Sequence, residues 1–449
     1  MPELTAFWAE YAWLPQGNAA SVLIEVAGDR ISTVRPGVEV PPPRSVRLPG
    51  LTLPGLANAH SHAFHRALRA RTQGGSGTFW NWREQMYAVA DRLDPDRYHA
   101  LARAVYAEMA LAGVTCVGEF HYLHHAPGGT PYADPAAMAQ ALIAAAGDAG
   151  IRITLLDTCY LSGGIGRPLA GPQLRFGDGD ADRWAVRAST VESALRVVPH
   201  ARMGAALHSV RAVPPDQMPP VIAWAARRSA PLHAHLSEQP AENEACLAAY
   251  RATPTEVLAG AGALSARTSA VHATHLTPPD IRALGGARTH ICLCPTTERD
   301  LADGVGPARA LAAAGAPLTL GSDSHAVIDL FEEARAVELD ERLRTGTRGH
   351  WPAAELLRAA TVDGHASLGW PDAGRIEPGC RADLVTVALD TPRLAGFDPA
   401  TAAESAVFAA SAADVRHVLA SGRVVVRDAT HQLVPDVPAA LHRSIRAVT

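Results

Sequence analysis

Long apolar runs and long basic runs are both missing from this sequence of 449 residues. No uninterrupted apolar stretch reaches the ~18 to 20 residues that a membrane-spanning helix requires. No Lys/Arg run could neutralise a phosphate backbone or an anionic membrane surface, and the net charge is only −5. We therefore expect neither a membrane nor a nucleic-acid partner. The first residues also lack the charged segment and apolar core of a signal peptide, which predicts a cytoplasmic protein.

Cysteine is scarce as well, with six residues and no spacing typical of a disulfide framework. This usage is expected in a reducing compartment. Cys292 and Cys294 could be metal ligands, but the alternation within THICLCP favours a buried strand. Two thiolates alone also cannot complete a tetrahedral site. With 48% hydrophobic and 19% charged residues, the composition is that of a folded globular protein.

Short apolar runs alternate with helical stretches between about residue 50 and residue 370, which indicates repeated βα units. Each run begins apolar and ends in polar, reactive residues, as strands do when their C-terminal ends open into the active site of a TIM barrel. An open doubly wound sheet is the alternative, but its glycine-rich phosphate loop is missing after the first run. The eight candidate strands are 51–60, 114–122, 151–160, 201–210, 231–238, 269–276, 289–295 and 317–324.

The sequence therefore predicts an α/β protein with a TIM-like (β/α)8 barrel over residues 51–374. The two chain ends differ from the middle, because short alternating segments such as SVLIEV and RVVVRD indicate antiparallel strands. Neither end is long enough to bury a core by itself. We expect residues 1–50 and 375–449 to pair into one small β-sandwich.

Histidines and an aspartate stand at the ends of three predicted strands. His60 and His62 have the i, i+2 spacing that projects two imidazoles to one side of a strand, and His235 and Asp323 end the fifth and eighth runs. In a closed barrel these four side chains would meet, giving three nitrogens and one carboxylate with a position open for water. This set predicts one divalent metal ion per chain, with zinc favoured and Fe2+ also accepted. The alternative is that all four are ordinary polar strand ends.

Proton transfer is assigned to Glu238 and His272, which lie at strand ends beside the predicted ligands but are not needed to complete the metal shell. Glu238 is expected to carry a proton from water to the departing nitrogen. His272 is expected to orient the water or to stabilise the tetrahedral intermediate. The alternative for Glu238 is an exposed carboxylate beside a helix N-terminus, and the alternative for His272 is a buried strand histidine. His233 and His275 lie near the favoured histidines, and for His233 a supporting role behind the ligands is favoured.

These motifs resemble a known family. HSH on the first strand, HLSE on the fifth, a histidine on the sixth and GSDS on the eighth are similar to the deaminase branch of the amidohydrolase superfamily. The lack of a suitably placed lysine for a carboxylated bridge is similar to its mononuclear members. More narrowly, LANAHSHAFHRAL, FWNWREQMY, GEFHYLHH, LHSVRAV and CPTTERDLADG resemble the formimidoylglutamate deiminases of histidine degradation. That resemblance implies hydrolysis of N-formimidoyl-L-glutamate to N-formyl-L-glutamate and ammonia, and a homodimer.

The same resemblance implies that Tyr122, His208 and Arg211 line the pocket of a dicarboxylate substrate. Arg211 suits this role because a guanidinium can hold a carboxylate through two parallel hydrogen bonds. Arg83 is a second cationic candidate, and a surface arginine stacked on aromatic rings is its alternative. This chain has His65 where several family members carry glutamine. Another deaminase acting on a purine, pyrimidine or guanidino compound, or a catalytically silent barrel, remains an alternative.

Overall fold

A parallel eight-stranded sheet forms the centre of the molecule. The computed structural model describes residues 4–74, 79–195 and 197–449. All adjacent pairs in this sheet run parallel and follow chain order, as repeated βα units require. The eight barrel strands, numbered first to eighth below, are Leu56–Ser61, Val114–His121, Arg152–Cys159, Ala201–Leu207, Leu232–Leu236, Thr268–His272, His290–Leu293 and Leu318–Leu320.

The first and eighth strands close the sheet into a barrel. Ser61 and Asp323 form a parallel bridge. The backbone N–H of Asp323 donates to the carbonyl of His60 at 3.0 Å, and the N–H of His62 donates to the carbonyl of Asp323 at 3.3 Å. The predicted TIM-like barrel is confirmed. Closure brings the C-terminal ends of the first and eighth strands into direct contact.

Helices surround the barrel, and local sequence sets many of their starts. Asp94 caps one helix through the N–H of Arg97, and Thr253 and Thr277 each begin a helix with a capping box followed by proline. In the described ranges, no helix combines the length and apolar character needed to cross a membrane. The α-helices are Phe79–Asp91, Pro95–Leu111, Ala137–Ala149, Ala181–Leu195, Met218–Arg228, Pro240–Tyr250, Pro254–Gly260, Pro278–Gly286, Pro295–Asp300, Ala308–Ala313, Leu330–Thr345, Ala353–Arg358, Gly364–Ser367, Ala402–Phe408 and Val437–Arg446.

Both chain ends build a second, mixed sheet of eight strands, which confirms the predicted β-unit. Phe7, Ile24, Leu48, Leu384 and Leu419 belong to its own buried apolar cluster. Two of its strands, the first and the fourth in the chain, run parallel to each other, whereas the other neighbours are antiparallel. In chain order its strands are Leu4–Leu14, Gly17–Ala27, Arg30–Arg35, Val46–Pro54, Leu384–Val387, Val415–Ala420, Arg423–Arg427 and Thr430–His431.

The predicted strand 51–60 is in fact two strands that belong to different sheets. Residues 51–54 pair with Leu384–Val387 in the mixed sheet, and the first barrel strand begins at Leu56. Gly55 joins the two strands. A residue with a side chain would not fit here, because its Cβ would lie 2.5 Å from Thr115 Oγ1. Strand Val46–Pro54 thus crosses the predicted domain limit at residue 51.

Candidate metal centre and active site

The four predicted ligands lie together at the mouth of the barrel. Their donor atoms are all within 4.8 Å of one another, and all four side chains are buried. His60 Nε2 and His62 Nε2 lie 3.4 and 3.5 Å from Asp323 Oδ1. His235 Nε2 lies 3.1 Å from His60 Nε2. Three strands separated in sequence therefore contribute to one cluster, called the donor cluster below.

Backbone carbonyls orient two of the imidazoles. His62 Nδ1 lies 3.0 Å from the carbonyl oxygen of Phe120, and His235 Nδ1 lies 2.9 Å from that of His208. Because a carbonyl oxygen only accepts hydrogen bonds, each Nδ1 carries the hydrogen and each Nε2 keeps its lone pair. Burial lowers the pKa of His235 to about 3. Burial, with neighbouring imidazoles, also holds the pKa of His60 and His62 well below the ordinary value.

Three neutral imidazoles and one carboxylate fit a single divalent metal ion with an open coordination position. A cation would also account for the close approach of two Nε2 atoms, since both could then present lone pairs. Burial raises the pKa of Asp323 to about 7 in the absence of such a charge, and a nearby cation favours the ionised form. The sequence contains no lysine, so no carboxylated lysine can bridge a second metal.

Glu238 and His272 form a buried ion pair next to the donor cluster. His272 Nε2 lies 3.8 Å from Glu238 Oε1 and 3.7 Å from Asp323 Oδ2. Although burial disfavours both charges, Glu238 raises the pKa of His272 well above its usual range. In turn His272 and Arg211 lower the pKa of Glu238. A carboxylate that can accept a proton and an imidazolium that can hold one therefore face the same space.

Two buried glutamates for which no role was predicted support this arrangement. Glu119 accepts hydrogen bonds at 2.7 Å from both Ser61 Oγ and the N–H of Ala63, and so fixes the chain on either side of His62. Glu298 Oε1 lies 3.3 Å from His272 Nδ1. Their motifs, GEFH and CPTTERD, are part of the family resemblance and were the available signal.

A cavity of about 410 Å³ opens beside the donor cluster and contains every residue predicted to bind substrate. Arg211 lies between two carboxylates on its wall. Its Nη2 is 3.3 Å from Glu238 Oε2, and its Nε is 3.0 Å from Glu242 Oε2. The sequence did not point to Glu242, which lies one turn after Glu238 at the start of a helix. Arg211 thus connects the cavity wall to the predicted proton carrier.

The other predicted binding residues line the same cavity. His65 Nε2 lies 3.0 Å from the hydroxyl oxygen of Tyr122, so the residue that departs from the family pattern contacts a predicted binding residue. The ring of His208 lies 5.0 Å from that of His235, measured between centroids. Arg83 Nε donates to the hydroxyl of Tyr87 at 2.6 Å.

The remaining candidates lie outside the donor cluster. His233 Nε2 lies 3.2 Å from the carbonyl of Ser367, and His275 Nε2 donates to that of Asp303 at 2.8 Å. Cys292 is buried within the seventh barrel strand, as predicted. Cys294, which caps the following helix, has its sulfur within 4.8 Å of donor atoms of His272 and Asp323.

Comparisons with known proteins identify the family of this chain. The model of the amidohydrolase family matches residues 51–425. Formimidoylglutamate deiminase from Pseudomonas aeruginosa is 36% identical over 95% of this chain and 96% of its own length. A 5-methylthioadenosine/S-adenosylhomocysteine deaminase from Pelotomaculum thermopropionicum is 30% identical over 92% and 90%. The crystal structure of an amidohydrolase from Brucella melitensis matches with a TM-score of 0.91, 33% identity and 99% coverage of both chains. The chain belongs to the amidohydrolase family and is a hydrolase that acts on non-peptide carbon–nitrogen bonds.

Proposed function

We propose that this enzyme hydrolyses N-formimidoyl-L-glutamate to N-formyl-L-glutamate and ammonia. The observation that carries the proposal is the 3.3 Å contact between Arg211 Nη2 and Glu238 Oε2. It puts a cation suited to a substrate carboxylate directly beside the group expected to move protons. Similarity to the deiminase from Pseudomonas aeruginosa over nearly the whole chain supports the same substrate.

In this proposal His60, His62, His235 and Asp323 hold one divalent metal ion, with zinc favoured and Fe2+ accepted. When bound there, the ion would supply a water activated as a nucleophile near neutral pH, since a bound catalytic metal brings the pKa of water to about 7. The oxygen of water adds to the formimidoyl carbon, and the bond from that carbon to the terminal nitrogen breaks. The products are a formamide and ammonia, so no oxidant or further reactant is needed.

Glu238 moves the protons in this scheme. As a carboxylate it accepts one proton from the attacking water and later the second from the hydroxyl of the tetrahedral intermediate, and it delivers both to the terminal nitrogen, which leaves as ammonia. His272, whose pKa its acidic neighbours raise, donates a hydrogen bond from Nε2 to the oxygen that gains negative charge. Glu298 keeps the His272 ring in place through the 3.3 Å contact at Nδ1.

The charges on the cavity wall favour a dicarboxylate over a neutral heterocycle. Arg83, Arg167 and Arg211 all line the cavity. A substrate with two carboxylates offers these guanidinium groups a charge partner, as Glu238 and Glu242 already do for Arg211, whereas a neutral purine or pyrimidine does not. The aromatic side chains around the same space would also suit a ring, so a nucleoside deaminase is the competing assignment.

The test is to load the protein with zinc and to measure ammonia release from N-formimidoyl-L-glutamate, 5-methylthioadenosine and S-adenosylhomocysteine in parallel. We expect turnover of the formimidoyl substrate only. Release of ammonia from either nucleoside, with none from N-formimidoyl-L-glutamate, would replace this assignment with the competing one.

We also propose a cytoplasmic homodimer that acts in histidine degradation. The six cysteines are all free thiols and buried, which suits a reducing compartment. The dimer rests on the family resemblance. Light scattering coupled to size-exclusion chromatography would give twice the chain mass of 47.2 kDa, and the mass of one chain would contradict it.

A further inference from the structure

We infer that His325 is a positioning residue, which ties together the two chain segments that carry three side chains of the donor cluster. It follows Asp323 by two positions and is completely buried. No role was predicted for it from the sequence. This role rests on the metal site of the proposed function, because the geometry that His325 maintains is that of the metal ligands.

Both ring nitrogens of His325 reach serine hydroxyls that neighbour the proposed ligands. Its Nδ1 lies 2.9 Å from Ser322 Oγ, and its Nε2 lies 3.2 Å from Ser61 Oγ. Ser322 directly precedes the aspartate of the donor cluster, and Ser61 stands between its first two histidines. The imidazole therefore connects the end of the first barrel strand with the segment that follows the eighth.

The hydrogen bonds on the Ser322 side have one consistent direction. Asn58 Oδ1 accepts from the N–H of Ser322 at 2.9 Å, so the amide nitrogen of Asn58 donates to Ser322 Oγ at 2.7 Å. The Ser322 hydroxyl has one hydrogen of its own, which it donates to His325 Nδ1. The Nε2 atom of the neutral imidazole then carries the ring hydrogen.

The Ser61 side continues in the same direction. Ser61 Oγ donates to Glu119 Oε2 at 2.7 Å, so the Ser61 oxygen can accept the hydrogen of His325 Nε2. An unbroken series of hydrogen bonds therefore connects five completely buried side chains, which are Asn58, Ser322, His325, Ser61 and Glu119. Each hydroxyl in the series donates once and accepts once. A buried polar network that is fully satisfied in this way holds its members in one arrangement.

The backbone of His325 is fixed as well as its ring. Its N–H donates to the Ser322 carbonyl at 2.8 Å, and its carbonyl accepts from Arg69 Nε at 2.6 Å. Arg69 Nη1 in turn donates to Glu108 Oε1 at 2.7 Å. The φ angle of His325 is 59°, in the left-handed region that residues with a Cβ seldom adopt. Because glycine adopts this conformation without a steric penalty, the ring contacts are what a histidine adds here.

The expected effect of His325 is on metal geometry rather than on substrate binding. Zinc needs its nitrogen and oxygen ligands at ~2.0 to 2.2 Å in a tetrahedral arrangement. Residues that hold ligands in place change metal affinity or activity by about 10- to 100-fold. His325 is not among the described residues that line the cavity. Its loss should therefore weaken zinc binding and lower kcat while KM changes little.

The experiment compares His325→Ala, His325→Gln and Ser61→Ala with wild type. Zinc affinity is measured by competition with a chelating dye, and kcat and KM are measured with N-formimidoyl-L-glutamate at saturating zinc. His325→Ala should weaken zinc binding and lower kcat by about tenfold or more, with KM within about twofold of wild type. His325→Gln keeps a donor near the position of Nε2 and should recover part of both losses. His442→Gln, exposed on the helix Val437–Arg446, is the matched control and should behave as wild type does.

The double variant Ser61→Ala/His325→Ala tests whether the two residues act in one series. Its loss of zinc affinity should be smaller than the product of the two single losses, because either change alone already breaks the series. Single losses that multiply in the double variant would overturn the inference. Wild-type zinc affinity and kcat in both single alanine variants would overturn it too.

Urea unfolding of the metal-free proteins separates positioning from a purely structural role. Lower stability of metal-free His325→Ala, with wild-type zinc affinity and kcat, would contradict positioning. If His325→Ala does not fold, wild-type zinc affinity in both His325→Gln and Ser61→Ala would do the same. Zinc affinity is independent of turnover. If wild type leaves N-formimidoyl-L-glutamate intact but His325→Ala binds zinc more weakly, the proposed substrate fails and the positioning role stands.

Discussion

Asp323 contacts His60 twice, once through the backbone and once through the side chain. Its N–H donates to the His60 carbonyl at 3.0 Å, and its Oδ1 lies 3.4 Å from His60 Nε2. The contact that closes the barrel therefore also assembles the donor cluster. Asn58 strengthens this junction, since its amide donates to Ser322 Oγ at 2.7 Å and accepts from the N–H of Ser322 at 2.9 Å.

Asp323→Asn should abolish turnover and weaken metal binding, because it removes the negative charge from the cluster but keeps the side-chain volume. The measurements are ammonia release and metal content after dialysis against a weak chelator. Asp390→Asn, an exposed change in the C-terminal region, is the control and should match wild type. Wild-type turnover by Asp323→Asn would contradict the assigned role.

Glu238→Gln should retain the metal and lose a factor of about 10² or more in kcat, since the amide cannot accept the proton from water. Steady-state kinetics and elemental analysis on the same sample check this. Glu244→Gln, exposed on the helix Pro240–Tyr250, is the matched control. Full activity of Glu238→Gln would remove its proton-transfer role.

Arg211→Gln should lower kcat as well as raise KM, because Arg211 contacts Glu238 in addition to facing the substrate cavity. Its loss also leaves Glu242 buried without its cation, so a lower thermal midpoint is expected. Arg211→Lys keeps the charge and should recover part of both losses. A rise in KM alone would show that Arg211 binds substrate without influencing the proton carrier.

Acid should destabilise the fold through buried neutral histidines such as His365. Its Nε2 donates to the carbonyl of Gly55 at 3.1 Å, and burial lowers its pKa from 6.5 to about 4. Between these values the unfolded chain binds more protons, so this contribution is present above pH 6.5 and is lost as the pH falls toward 4. Urea unfolding from pH 7.5 to 5 should show a shallower loss of stability for His365→Gln. Parallel losses in the two proteins would exclude this histidine as a cause.

Periodicity predicted most of the fold, because buried parallel strands have a strong signal. Eight apolar runs with polar ends matched eight barrel strands. The error at 51–60 arose because Leu51–Leu53 and Leu56–Ala59 are equally apolar, although they lie in different sheets. Only Pro54 and Gly55 mark the change. Which sheet a strand joins depends on pairing with residues more than three hundred positions away.

That the side chains of the donor cluster lie together was also predictable, since each stands at the C-terminal end of a predicted barrel strand. The contacts between residues of the cavity wall were not predictable in this way. Arg211 could be chosen from sequence, but its contact with Glu242 depends on how a helix start packs against a strand end. The Tyr87 hydroxyl accepts from Arg83 on its own helix, Phe79–Asp91, and from Gln173, which lies 86 residues away in the chain, so only the first of these contacts is local in sequence.

X-ray absorption spectroscopy at the zinc edge, on protein incubated with zinc, most directly tests the claim that the donor cluster binds one metal ion. Three imidazoles and one carboxylate predict one zinc per chain with only nitrogen and oxygen neighbours, at ~2.0 to 2.2 Å. The alternative is a site that includes the Cys294 sulfur, which lies within 4.8 Å of donor atoms of His272 and Asp323. A sulfur neighbour at ~2.3 Å would contradict this account. So would a protein that retains no zinc after incubation with the metal.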